Sequence, residues 1–286
     1  MHAAIIGLGL MGGSLALALR RSGWANRITG VARRPETLAA ARAAGAIDRG
    51  AADLASAPLD EADVIVLATP VRTLLRQLPE VGRRARPGAV ILDLGSTKAA
   101  ICAEMERLPE GLQPVGGHPM CGKETGGFAA AEAGLFAGMT FVLCPLPRTS
   151  AAALATARSV VEAVGARDRV LDPVGHDRAV AAISHLPYLA AASLVNAVAW
   201  GAATEDGDSL ALSLAASGFR DTTRLAASDV DMMLDILLTN RSAVLEWLEA
   251  YAGQFASLAA LLRIGDEAGL RDRLAAARET RRGMKF

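Results

Sequence analysis

From residue 2 to about residue 172, short runs of β-branched and aliphatic residues alternate with alanine- and leucine-rich stretches of helical period. His2 to Gly7, Arg27 to Ala32, Ala62 to Ala68, Ala89 to Leu94 and Met139 to Leu143 predict strands. Met11 to Ser22 predicts a helix that Gly23 stops. Strands separated by helices predict a mostly parallel, doubly wound sheet. After Asp172 the strand signals fade. Pro173 to Trp200, Asp208 to Ala215, Phe219 to Ala226, Val230 to Gln254 and Ile264 to Arg282 predict helices instead. The expected division is an α/β domain over 1–172 and an all-helical domain over 173–286, closely packed, because no low-complexity linker separates them.

Composition narrows the class. A chain of 286 residues with 52% hydrophobic content can bury a sizeable core. Thirty basic residues cancel thirty acidic ones, so no field favours nucleic acid. Cys102, Cys121 and Cys144 are odd in number and lack metal-ligand spacing, which suits a reducing cytoplasm without disulfides. The apolar N-terminus has no positive charge before it and is expected not to be a secretion signal. The apolar stretch from Tyr188 to Ala203 is interrupted by Asn196 and falls short of the roughly 20 residues a bilayer requires, so no membrane span is expected.

Candidate chemistry begins at Gly7-Leu8-Gly9-Leu10-Met11-Gly12, between a predicted strand and a predicted helix. A tight turn, backbone approach to a pyrophosphate and close helix packing each demand glycine, and the helix start offers free N–H groups to phosphate. In this context GxGxxG predicts dinucleotide binding on a Rossmann-type sheet; the bland alternative is a glycine-rich turn. Where an NAD enzyme carries an acidic residue after the second strand, this chain has Ala32, then Arg33 and Arg34. Guanidinium groups suit a 2′-phosphate, so NADP is favoured over NAD, unless the two arginines are merely solvated. Leu10, Met11, Thr69 and Pro70 complete the expected cofactor-binding set.

A nicotinamide implies hydride transfer, and the carbinol being oxidised must give up a proton. GGHPMCGKE holds His118, one of only four histidines, just beyond a stretch, Gln113 to Gly117, that can form a short strand to the sheet's ligand-binding edge. Imidazole accepts protons near neutrality; the competing reading is a structural loop histidine. LGSTK places Ser96 at the same edge, where it is either a polar partner of the site or a helix N-cap. In SGFRDTTR, Arg220 and Arg224 stand four apart and so share a helical face that can meet a carboxylate; alternatively, Asp221 pairs with a neighbouring arginine at the surface.

GLGLMGGS, LGSTK, GGHPMCGKE, GHDRAVAAISHLP and SGFRDTTRLAASD together resemble the prephenate and arogenate dehydrogenases of tyrosine biosynthesis, in the same order and over almost the whole chain. The resemblance is to short, single-function members, for which neither a chorismate mutase region in front nor a C-terminal ACT domain is expected. The arginines after strand two resemble the NADP-using arogenate branch. The resemblance implies NAD(P)-dependent oxidative decarboxylation of prephenate or arogenate to 4-hydroxyphenylpyruvate or tyrosine, with no metal. It implies that His118 accepts the ring hydroxyl proton, that Ser96 hydrogen-bonds near that hydroxyl and that Arg224 grips a substrate carboxylate. Glu124 matches a position often acidic in the family. The family often has histidine where this chain has Tyr188, which bears on how the substrate side chain is read.

His176 and His185 lie nine residues apart; in a regular helix they point to opposite faces and cannot share a metal. His185 is either a substrate neighbour or a buried structural residue, and Pro187 is expected to kink the helix. Cys121, three residues after His118, lacks a third group to make it a nucleophile. Two alternatives stand beside the main reading: a 3-hydroxyacid-type dehydrogenase, for which Lys98 and Lys123 lie in the wrong domain, and a non-catalytic NADP-binding redox sensor, which would not need Ser96, His118 and Arg224 together. Apolar residues in excess of one small domain's needs, Leu186, Leu189, Leu194, Val195 and Val198 with Leu245, Trp247 and Leu248, predict a homodimer through the helical domain.

Overall fold

The computed structural model describes residues 1–202 and 210–284. They fall into two compact units, Met1–Arg241 and Ser242–Phe286. The first is built on an eight-stranded sheet: β1 (His2–Ile6), β2 (Arg27–Val31), β3 (Arg49–Ala51), β4 (Val64–Leu67), β5 (Val90–Asp93), β6 (Gln113–Pro119), β7 (Thr140–Pro145) and β8 (Arg167–Val170). Their order is β3-β2-β1-β4-β5-β6-β7-β8. All neighbours are parallel except β6 and β7. The order reverses between β1 and β4, which opens a crevice at their carboxyl ends, the usual ligand position in such sheets.

The central strands are apolar on both faces because helices cover both. Ala3, Ile5, Val64, Val66 and Leu92 pack with Leu15 and Leu19 of α1 (Leu10–Arg21) and Val160 and Val161 of α5 (Ala151–Ala163). The alternating set, Ala4, Ile6, Ile65, Leu67 and Ile91, packs with Leu74 and Leu78 of α3 (Val71–Arg84) and Ile101 and Met105 of α4 (Ala99–Met105). The remaining crossover, α2 (Pro35–Ala43), joins β2 to β3. β3 and β8 were not anticipated. β3 is three residues carrying one apolar side chain, and β8 reads RDRV and is exposed throughout, so neither shows a strand's hydrophobic signature. β6 also runs further than expected and carries His118 within it.

Beyond the sheet come α6 (Pro173–Val180), a π turn (Ala181–His185) and α7 (Leu186–Ala202). They are followed by α8 (Leu210–Ser213), α9 (Ser217–Thr223) and α10 (Val230–Thr239). Asp208, where the second helical segment was expected to begin, lies outside the described residues. The π turn corrects the opposite-face expectation for His176 and His185. Its wider i→i+5 bonding turns the chain less per residue than an α-helix does. Both imidazoles are buried, at 1% and 2% exposure, and Asn240 bridges their neighbourhood. The irregularity expected at Pro187 sits in the turn just before it. Because the helical path continues through that turn, Pro173–Ala199 is long and apolar enough, by length and composition alone, to cross a membrane, which the shorter apolar run read from sequence was not.

The second unit holds most of α11 (Arg241–Ile264) and all of α12 (Glu267–Gly283). Gly265, at φ +68°, ends α11, and the Asp266 side chain accepts from Gly269 N at 3.0 Å to start α12. Arg273 donates to Gln254 across the hairpin at 3.1 Å, and Phe255, Leu262, Ile264 and Leu274 are exposed.

Candidate active site

The glycine loop leaves β1 at the crevice. Gly7 has φ +97°, a conformation side chains resist, and a Cβ at Gly12 would lie 1.9 Å from Gly7 O. A Cβ at Gly9 would meet nothing within 4 Å, so the backbone there faces open space that a ligand can approach. Gly9 caps α1 without a side chain and the first turn holds no acid, so its free N–H groups suit a pyrophosphate. Thr69, which follows β4, flanks Gly7 and donates to Gln77 at 2.7 Å, and Pro70 caps α3. Leu10 and Met11 open α1; Arg33 and Arg34 are exposed just past β2. These residues fit a dinucleotide held at the switch point.

Across the crevice, β5 ends in a buried lock. Asp93 accepts from Gly117 N at 2.9 Å and Gly95 N at 2.7 Å, and it also pairs with the Lys98 ammonium, which donates to Gly117 O at 2.7 Å. Asp93 and Lys98 are both fully buried. Burial pushes the Asp93 carboxyl up, against the pull of the ammonium and the two amides. A Cβ at Gly117 would come 2.4 Å from Asp93 O, and one at Gly116 would come 2.7 Å from Cys102 Sγ. Gly117 thus lets β6 approach the end of β5 closely enough for the lock to form, while Gly116 makes room for Cys102 of α4.

His118 is half-buried near the end of β6, and its Nδ1 lies 2.8 Å from His176 Nε2, the rings meeting edge to face. Burial first, then the charges of Lys98, His176 and His185, hold the His118 pKa well below the ordinary imidazole range. The ring is therefore neutral and able to accept a proton. His176 Nδ1 in turn lies 2.8 Å from Asp177 Oδ1. The Asp177 carboxylate also accepts from Lys98 N at 2.6 Å and Ala99 N at 2.9 Å, so it holds the start of α4 and the loop that carries half-buried Ser96.

Two further contacts tie α10 to the sheet domain, Thr239 to Thr97 at 2.9 Å and Arg72 N to the Asp235 carboxylate at 3.1 Å, and Asn240 Nδ2 just after α10 donates to Asp177 O of α6 at 2.7 Å. Burial lowers the His185 pKa to about 4. Tyr188 is half-buried one turn further along α7. Arg220 and Arg224 part company: Arg220 pairs with Asp221 at the surface, whereas Arg224, at the start of a 3₁₀ turn, donates to Glu124 at 2.6 Å. Burial raises the Cys121 thiol to about 11, which keeps it protonated and poorly nucleophilic.

Sequence reasoning passed over Asp93, Asp177 and Asn240 and considered His176 only as a metal ligand. Asp177 adjoins His176 in GHDRAV, a pairing whose meaning depends on the ring of His118 across the fold.

A doubly wound sheet with a phosphate cradle at its switch point, facing a neutral histidine on the neighbouring edge, defines an NAD(P)-dependent oxidoreductase. Family models described as prephenate dehydrogenase, nucleotide-binding domain, and prephenate dehydrogenase, dimerization domain, match residues 15–170 and 172–276. The chain belongs to the prephenate dehydrogenase family. A prephenate dehydrogenase of Bacillus subtilis is 36% identical over 250 residues, covering 85% of this chain and 66% of the relative's own length. The solved prephenate dehydrogenase of A. aeolicus, in complex with hydroxyphenyl propionate and NAD+, superposes with a TM-score of 0.93 at 30% identity, covering 100% of this chain and 98% of that one. Synechocystis arogenate dehydrogenase superposes with a TM-score of 0.85 at 35% identity, covering 98% and 99%.

Proposed function

We propose that the chain oxidises and decarboxylates a cyclohexadienol, prephenate or arogenate, to 4-hydroxyphenylpyruvate or tyrosine in tyrosine biosynthesis. The observation that carries this reading is a neutral His118 at the sheet edge beside the dinucleotide crevice, its Nδ1 occupied by His176 and its Nε2 left for a substrate hydroxyl. His118 accepts the hydroxyl proton and Ser96 orients that hydroxyl. A bound nicotinamide supplies the hydride acceptor. Loss of the ring carboxylate then makes the ring aromatic.

Arg224 binds a substrate carboxylate, for which it must leave Glu124. Both partners are more than half exposed, so that ion pair is worth at most about 1 kcal/mol and yields readily. Arg220 belongs to the outer approach, and His185 and Tyr188 border the substrate's side chain. NADP is the favoured cofactor, because Arg33 and Arg34 stand where a carboxylate would repel a 2′-phosphate. The functional domain boundary falls at residues 172 and 173. The exposed apolar face of the long helix and of the following helices is covered by a second copy, as the description of the matching C-terminal family model supports. The buried, hydrogen-bonded His176, Asp177 and His185 on that helix favour this over a lipid setting. Three free thiols favour the cytoplasm. The 3-hydroxyacid reading loses support because Lys98 is committed to Asp93 and Gly117.

The test mixes purified protein with NADP or NAD and with prephenate or arogenate, and follows absorbance of the reduced nicotinamide. Turnover of one substrate supports the proposal and names the substrate. No turnover with any pair, by protein that binds NADP, favours the redox sensor.

A further inference from the structure

We infer that His176 and Asp177 act through His118 as positioning residues: they hold it in the tautomer whose Nε2 lone pair is free, and they share the proton that the substrate hydroxyl delivers. This rests on the reading of His118 as the base and deepens it.

The assignment follows from donors and acceptors. An ionised carboxylate offers only acceptors. The 2.8 Å contact to Asp177 Oδ1 therefore places a proton on His176 Nδ1. With its one ring proton on Nδ1, His176 presents a lone pair at Nε2, and the 2.8 Å contact from there to His118 requires a proton on His118 Nδ1. His118 Nε2 is left bare and basic. The reverse assignment would set a lone pair of His176 against the Asp177 carboxylate, in a buried place where neither can turn to water.

The charge that arrives during reaction needs a destination. The Lys98 ammonium, at the start of α4, opposes positive charge on the His118 ring, and Asp93 is committed to Lys98. Among the described residues, Asp177 is an anion joined to His118 through His176. The carbinol proton moves to His118 Nε2 while the Nδ1 proton moves to His176 Nε2, which puts the positive charge beside the carboxylate. When the departing carboxylate leaves its bonding pair in the ring, both protons return and the ring oxygen ends as a phenol. The protein finishes in its starting protonation state, with no further acid or base required. The same Asp177 oxygens hold the amides of Lys98 and Ala99, so one carboxylate sets both the histidine tautomer and the loop bearing Ser96.

Nitrogen-15 NMR of histidine-labelled wild-type protein near pH 8, with His118 assigned by its loss in His118→Asn, reads the tautomer without turnover. A proton on Nδ1 is expected; a proton on Nε2 overturns the inference. His176→Phe removes the acceptor, whereas His176→Gln offers an amide oxygen in its place. His176→Phe should lower kcat by about 100-fold or more, in the range of general-base contributions, with KM for substrate and NADP little changed. His176→Gln should recover about 10-fold of that loss by restoring the tautomer without the proton sharing. Equal kcat in wild type and His176→Phe, or equal loss in both variants, overturns the inference. Failure of the base reading itself shows separately, as turnover by His118→Asn.

Discussion

Lys98 and Asp93 form a fully buried ion pair that also grips both backbone groups of Gly117, one residue before His118. A buried pair offers little net stability when intact, yet losing one partner strands the other charge. Lys98→Met should destabilise the protein by about 3–5 kcal/mol in urea unfolding, and adding Asp93→Asn should return part of that loss. A Lys98→Met change within the error of the wild-type midpoint would mean the pair is not the lock described.

Activity should persist into mild acid. Neutral His118 is the working form, and its lowered pKa keeps it neutral below the ordinary imidazole value of about 6.5. A profile of kcat/KM against pH should therefore be flat near pH 6.5 and fall only at lower pH. An acid limb centred above 6.5 would contradict the environment described for that ring.

Stability should respond to pH in the same direction through His185. Its pKa is about 4 in the folded chain against about 6.5 unfolded, so the unfolded state binds more protons between those values. Its contribution is fully present above about pH 6.5 and is lost progressively as pH falls toward 4, on the order of 3 kcal/mol in all. His185→Gln should flatten that part of the unfolding free energy against pH, which chemical denaturation at a series of pH values reads directly.

Glu124 occupies the guanidinium that a substrate carboxylate would use. Glu124→Gln should lower the substrate KM by about two- to fivefold with kcat held, since an exposed pair is worth at most about 1 kcal/mol. Arg224→Ala should instead raise KM by about 10- to 100-fold, the loss of a charge-assisted hydrogen bond. Steady-state kinetics on the two variants separate competitor from ligand.

Cofactor choice is tested at the end of β2. Arg33→Asp should raise KM for NADP about 10- to 100-fold more than KM for NAD, because it exchanges a partner of the 2′-phosphate for a repelling charge. Equal effects on the two cofactors would leave Arg33 as a solvated side chain.

The motifs around Gly7, Ser96, His118 and Arg224 could be singled out as candidates because each is a short run of adjacent residues. The edge strands β3 and β8 could not, since exposed or three-residue strands lack an apolar period. Arg220 and Arg224 share a face by spacing alone, but α9 ends between them and Glu124 claims only the second.

By itself the amino-acid order determined the alternation of strand and helix, the glycine cradle for a dinucleotide and the presence of one histidine among glycines, because local sterics and hydrophobic period set these over short windows. Only the tertiary structure decided what that histidine can do. His176 contacts it directly, Asp177 acts through His176, and Asp93 and Lys98 hold the neighbouring Gly117; hydrogen bonding and burial, which fix tautomer and proton affinity, are properties of the assembled site.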